Sequence, residues 1–440
     1  MRTVALSVLA VAALSLSLKF SSAADGDWNQ FRGPNQDGNS DATGLPLKFS
    51  DGSPEIMWKT PVSGRAWSSP VVWGEQVWLT NAPEIVNPEG ATNQNSFSKN
   101  DKALEQPIRL SAMCLDLATG KILHDVTVFE IDKPQYTHPT NSYASPTPWI
   151  EDGRLYVHFG SYGTAAIDTA TGKKVWENTE LHCHHWRGPG SSPVVHGDLI
   201  YVTFDGYDEQ FIAAINKKTG KTAWKRDRDI NYGTDNGDAK KAYSTPRVIK
   251  VGGRDLVISP FAMATIAYDA KSGEPVWTVR HGGMNASARP LVGHGLVYIN
   301  AGDGKNALVA IRPDGKGDIT ATNIEWSTGN KTPKRPSQLL VGDNYFMCND
   351  EGIFSCLDAK TGENIWSSRV SGRYWASPIY ADGHIYVPSQ DGMVVVFKAA
   401  REFELVAENK LDAGMTASPA VAGKSLLIRT EKSLYRIAKP

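Results

Sequence analysis

Apolar and polar residues alternate in short runs over most of the chain, and the stretch from Ala144 to Glu177 shows the pattern in full. Three strands of alternating character are separated by the turn residues Asp152-Gly153 and Tyr162-Gly163, and Thr171-Gly172 leads into a fourth strand that ends on Trp176. One such sheet has two apolar faces and cannot bury either alone, so the pattern predicts stacked copies.

Copies recur. Prolines that open the first strand are read at Pro70, Pro146, Pro193, Pro246, Pro290, Pro336, Pro378 and Pro419; after a first interval of 76 residues the spacings are 47, 53, 44, 46, 42 and 41. A four-stranded period of about 40–45 residues is that of propeller blades. Eight prolines predict eight blades.

The turn after the third strand repeats most strictly. Asp116, Asp168, Asn216, Asp269 and Asp358 are each followed four residues later by glycine and, in all but the first, by tryptophan four residues after that. Asp and Asn hydrogen-bond their own turn, glycine supplies positive φ, and tryptophan offers a plate on which one sheet seats against the next. This pattern, [ND]-x-x-[TS]-G-x-x-x-W, resembles the pyrroloquinoline-quinone (PQQ) repeat of quinoprotein alcohol dehydrogenases and of BamB, the outer-membrane assembly lipoprotein, from about Trp58 to Ile437. The resemblance implies an all-β, eight-bladed β-propeller of four-stranded antiparallel blades.

A lone strand over Glu55 to Val62, and a last repeat that stops one strand short at Ser433 to Pro440, predict that the N-terminal strand completes the last blade and closes the ring. The chain is thus divided into a secretory leader over residues 1–24, an N-terminal extension over 25–54, and the propeller over 55–440. Within the extension, Trp28 and Phe31 are expected to cover the barrel edge, with a turn at Arg32-Gly33-Pro34-Asn35.

The leader has one early arginine, an uncharged run from Thr3 to Leu18, and small residues at Ser22, Ala23 and Ala24, which is the form of an export signal. Export to the periplasm or cell envelope follows. No cysteine precedes Cys114, so no lipid anchor is expected, and no later segment is long and apolar enough to span a bilayer. The net charge of −1 gives no electrostatic case for nucleic acid. The chain is expected to act as a monomer. Its four cysteines permit disulfides without forming a framework; Cys348 and Cys356 flank one turn and could bond, while Cys114 and Cys356 read as small core fillers.

Long insertions at Asn81 to Pro107, Thr127 to Tyr143, Asn178 to Gly190 and Arg226 to Tyr243 fall where the first strands begin, which places the functional face there. Three residues before the strand-opening prolines stand Trp67, Tyr143, Tyr243 and Trp375; the residue before the proline is mostly Ser or Thr but becomes Arg289 and Arg335, and Arg65 and Arg373 precede the two tryptophans by two. Aromatic plates with convergent arginines suit a small planar anionic ligand or a peptide carboxylate. His182, Cys183, His184 and His185 are potential metal ligands, yet in an extended segment His182 and His184 share one face and Cys183 and His185 the other. Asp205, Asp235 and Asp238 offer oxygen ligands of the kind calcium takes.

PQQ and calcium are the cofactors the resemblance would admit. The vicinal cysteine pair typical of the dehydrogenases is absent, as are haem-attachment and hydrolase motifs. The sequence therefore favours a non-catalytic propeller that binds a protein, peptide or small ligand on its loop-bearing face, with a BamB-like envelope role. The alternative is a PQQ-dependent dehydrogenase of alcohols or sugars.

Overall fold

Eight four-stranded antiparallel sheets account for nearly all of the computed structural model, which describes residues 27–62, 64–83, 107–304 and 307–440. The expected leader at 1–24 and most of the Asn81 to Pro107 insertion lie outside the described residues. Helix among the described residues amounts to the turns Gly160–Tyr162, Gly237–Lys240 and Thr320–Asn323.

Within a blade the strands run outward in chain order. In the third blade Val194–His196, Leu199–Asp205, Gln210–Asn216 and Thr222–Asp227 pair in sequence. The third strand lies between neighbouring blades and is buried from Phe211 to Ile215, whereas the outer strand buries only Trp224 of its six residues. This is why third strands read as continuous apolar runs and outer strands alternate.

The ring closes as expected. Ile56–Pro61 pairs antiparallel with Ser433–Ala438, setting Trp58 opposite Arg436 and Thr60 opposite Leu434. This removes the open edge the last blade would otherwise present.

The repeated turn works as a dock between blades. Asp168 Oδ1 accepts from Thr171 N–H at 3.0 Å and from its hydroxyl at 2.8 Å, and Gly172 sits at φ +70°. In the next blade the equivalent Gly220 lies under the Trp176 ring, so closely that an added Cβ would come within 2.6 Å of it. The indole Nε1 of Trp176 donates to Lys217 O at 2.9 Å. Trp58 on Gly120, Trp224 on Gly273 and Trp326 on Gly362 repeat the packing. Glycine is required twice over, for its φ and for the space its missing side chain leaves.

Two sequence expectations need correction. The segment Asp27 to Ser40 does not cover an edge; it enters the axial channel as a plug. Trp28 pairs antiparallel with Val72 of the first inner strand, and Asn39–Ser40 pairs parallel with Ile379–Ala381 of the seventh, so the segment turns back on itself inside the ring. Arg32, 2 % exposed, donates to the carbonyls of Gln338 and Asp37 at 2.9 Å and also to Pro378 O.

The second correction is one of register. The inner strands of the second and sixth blades are Trp149–Glu151 and Leu339–Val341, so the residues equivalent to Pro70 are Pro148 and Gln338, not Pro146 and Pro336. The second blade carries Pro-Thr-Pro and offers two candidates; the sixth has glutamine at the position. A slip of two keeps the same face, so hydropathy could not reveal it.

Candidate functional site: the axial funnel

The three insertions that are described follow the outer strands ending at Ile131, Asn178 and Asp227 and lead into the next inner strands. They share the end of the ring at which the inner strands begin. There the axis opens into a cavity of about 230 Å³ with Phe31, at the tip of the plug, in its lining.

Its wall is built from the residue just before each inner strand's opening position. Ser418 N–H donates to Ser69 Oγ at 3.1 Å, Ser69 N–H to Thr147 Oγ1 at 2.9 Å, Thr147 N–H to Ser192 Oγ at 2.9 Å, and Ser192 N–H to Thr245 Oγ1 at 2.9 Å. On the other side Arg289 N–H donates to Ser337 Oγ at 3.0 Å, Ser337 N–H to Ser377 Oγ at 2.9 Å, and Ser377 N–H to Ser418 Oγ at 2.9 Å. The Ser and Thr column read from the sequence is thus a belt that ties each blade to the next, save from the fourth to the fifth, where Arg289 stands in the column.

Above the belt stand Trp67, Tyr243, Arg335 and Trp375, all in the cavity lining. Arg335 lies over the Trp375 ring at 4.2 Å and pairs with Asp350 at 2.5 Å; Arg65 lies over Trp67 at 5.5 Å. The corrected register explains Arg335, which occupies the aromatic column of its blade rather than the hydroxyl column.

The other candidates are placed elsewhere. The Tyr143 hydroxyl donates to Gln135 O at 2.6 Å and its ring meets the edge of Tyr162, behind the wall. Arg289 is turned onto the plug, donating to Phe31 O at 2.6 Å and to the side-chain oxygens of Gln30 at 3.0 Å and Gln36 at 2.7 Å. Burial, with Arg247 and Arg32 nearby, holds its pKa well below the usual guanidinium range. Arg373 is exposed and outside the lining.

Arg187, Asn285, Asp303 and Lys334 join the site without any sequence signal beyond their place in loops. Lys334 pairs with Asp303 at 2.8 Å, and Arg187 with Asp238 at 3.3 Å; Asp238 also pairs with the fully buried Lys241. Burial pushes the Lys241 ammonium down to about 8, against the pull of Asp238. His138 reports the potential of the mouth: burial, then Arg187, Lys241, Arg65 and Arg335, lower its pKa.

The metal candidates do not converge. Cys183 and His185 point inward, with the Cys183 Sγ 3.6 Å from His185 Nδ1, while His182 is exposed and His184 packs against Trp186 and Tyr207. Asp205 is held by Arg228 at 2.9 and 3.0 Å, and Asp235 is exposed. Among the described residues no three His, Cys, Asp or Glu side chains gather as a metal site. All four cysteines are buried free thiols; Cys348 faces Phe354 and Cys356 faces Phe346 across the ladder.

Burial does shape the inward-facing histidines. His158, His185 and His281 are held neutral, with pKa values pushed down to about 3, 4 and 4. Each depressed histidine contributes stability that is present above its unfolded pKa of about 6.5 and is lost as pH falls toward the folded value. Urea midpoints are therefore expected to drop steadily from pH 6.5 to 4, and the double replacement His158→Gln/His281→Gln is expected to flatten that slope.

A family model described as outer membrane protein assembly factor BamB matches residues 108–314 and 316–434, well over half of the chain. The chain belongs to the BamB family. BamB of Legionella pneumophila is 22% identical over 205 residues, 46% of this chain and 49% of that protein. A tetrathionate hydrolase of Acidithiobacillus ferrooxidans is 21% identical over 353 residues, 76% of this chain and 64% of that protein. The chain thus spans about half to two thirds of the length of these curated relatives. Quinohemoprotein alcohol dehydrogenase from Comamonas testosteroni shares the fold with a TM-score of 0.65 at 11% identity, covering 95% of this chain and 82% of that one.

The propellers of such dehydrogenases raise the question of a calcium-bound quinone. The lining does not fit its calcium ion. Asp303 is its sole acid among the described residues and is already held by Lys334 and by Asn285 at 3.1 Å, while Arg187, Lys334 and Arg335 bring three cations. This donor set suits an anion, not a divalent cation.

Proposed function

We propose that this chain is an exported binding propeller of the periplasm or cell envelope that holds a protein, peptide or small anionic ligand at the funnel face. One observation carries the reading: the loop-bearing end of the axis opens into a cavity with three cations to one acid between indole walls. The 1–24 leader and the 55–440 propeller body belong to the same proposal, as does a BamB-like role in assembly, which rests on the family.

No helix among the described residues is long and apolar enough to cross a membrane. A photo-crosslinking residue placed at Thr140, on the funnel rim, is expected to trap a partner in the envelope fraction, whereas one at Lys218, in the turn at the opposite end, is not. Equal labelling from both positions would overturn the assignment of the face. Saturable tryptophan quenching by PQQ with calcium, accompanied by dye reduction with alcohols, would instead establish a dehydrogenase.

A further inference from the structure

The belt of hydroxyls has a polarity. Ser69, Thr147, Ser192, Thr245, Ser377 and Ser418 each use a lone pair to accept a neighbouring blade's backbone N–H. None of the six donates its own O–H to any acceptor among the described residues, and all six line the cavity. A hydroxyl carries one proton to give, and here the fold takes only the acceptor side. Six O–H donors are thus left to whatever occupies the funnel.

The surroundings narrow the choice of occupant. The Trp67 Nε1 and the Tyr243 hydroxyl, in the same lining, are shielded from solvent and lack hydrogen-bond partners. They add two more donors. Among the described residues the only formal acceptor charge in the lining is Asp303, and it is already shared. Arg65, Arg187, Lys241, Lys334 and Arg335 outnumber Asp238, Asp303 and Asp350 by two around the mouth. That surplus of positive charge suits an anionic group, and the indole walls match a flat apolar body.

We infer that the funnel is a seat for a carboxylate attached to an aromatic or flat apolar body, its oxygens accepting from the belt hydroxyls and its charge balanced by the cationic rim. This inference rests on the proposed binding role and names its ligand chemistry. The carboxylate can come from a peptide C-terminus or from a free small acid. Both present the same group to the belt.

The test uses the mature full-length protein and its tryptophan fluorescence, since Trp67 and Trp375 line the cavity. Indole-3-acetate is titrated beside indole-3-acetamide, and a short peptide ending in Phe with a free C-terminus beside its amidated form. The acids are expected to bind at least about tenfold more tightly than their neutral partners, the discrimination that a charge-assisted donor set provides. The Ser192→Ala/Ser377→Ala protein is expected to lose most of that discrimination, and Arg335→Gln, which leaves the belt intact, to lose part of it. If the small acid binds as well as the peptide, the source is a free acid; if only the peptide binds, it is a chain end. Equal affinity for acid and amide, or discrimination untouched in both variants while each remains folded, overturns the inference. Rim crosslinking at Thr140 is independent of these titrations, so a trapped partner alongside failed discrimination would sink the carboxylate seat and leave the binding role standing.

Discussion

Replacing Arg228 by leucine is expected to cost about 3–5 kcal/mol of stability, because it strands a carboxylate in the interior. Arg228 and Asp205 both have fully buried side chains and meet through two hydrogen bonds, at 2.9 and 3.0 Å. The same guanidinium donates to Ser259 Oγ at 2.8 Å and to the Tyr268 hydroxyl at 3.2 Å, and lies over the Phe261 ring at 4.6 Å. It therefore ties the start of the 228–243 loop, which carries Asp238, Lys241 and Tyr243 to the funnel, to two adjacent blades. Asp205→Leu should cost a similar amount, leaving the cation unpaired. The double replacement should recover more than half of the summed loss, since an apolar pair removes both desolvation penalties. Urea denaturation of the three variants decides it. Strictly additive losses, or a single-variant loss under about 1 kcal/mol, would show that the pair is not the anchor described.

Trp58→Ala is expected to open the ring, at about 3–5 kcal/mol for the loss of a buried indole. Trp58 is 8 % exposed, its Nε1 donates to Leu117 O at 2.9 Å, and its ring covers Gly120 of the first blade. It belongs to the strand that joins the two chain ends, so its loss frees the closing strand as well as creating a cavity. Trp366 donates to Ala400 O at 3.0 Å in the same way, but its outer strand is covalently continuous with its blade. Trp366→Ala should destabilise less and leave residues 27–62 protected from protease, whereas Trp58→Ala should expose them. Equal protease sensitivity in the two variants would remove the closing strand's special role.

The repeat was legible because the residues that make it answer to local physics. An Asp or Asn accepting from its own turn, a glycine at positive φ and a tryptophan at fixed spacing are set by nearest-neighbour geometry; five copies repeat the first two and four of them the tryptophan. The missing strand at the C-terminal end and the surplus strand at Glu55 to Val62 likewise pointed to closure. Of the funnel, Trp67, Tyr243, Trp375 and Arg335 were found by column, with Arg65 placed behind Trp67. Tyr143 and Arg289 were picked by the same columns but lie outside the cavity lining, because the column of the second blade was set two residues early and because an arginine at the axis can turn either to the cavity or to the plug.

By itself the sequence determined the all-β repeat, the number of blades, the sealing of the ring and the end of the axis at which the long loops stand. Each of these follows from periodicity, which is a property of the chain taken locally. Only the tertiary structure decided that Asp27 to Ser40 fills the channel, that Arg32 and Arg289 serve that plug, and that the belt hydroxyls have their acceptor sides occupied. Those outcomes depend on which groups from distant blades meet at the axis and on which hydrogen bonds remain once the backbone has taken its share, and neither is written in the spacing of residues along one strand.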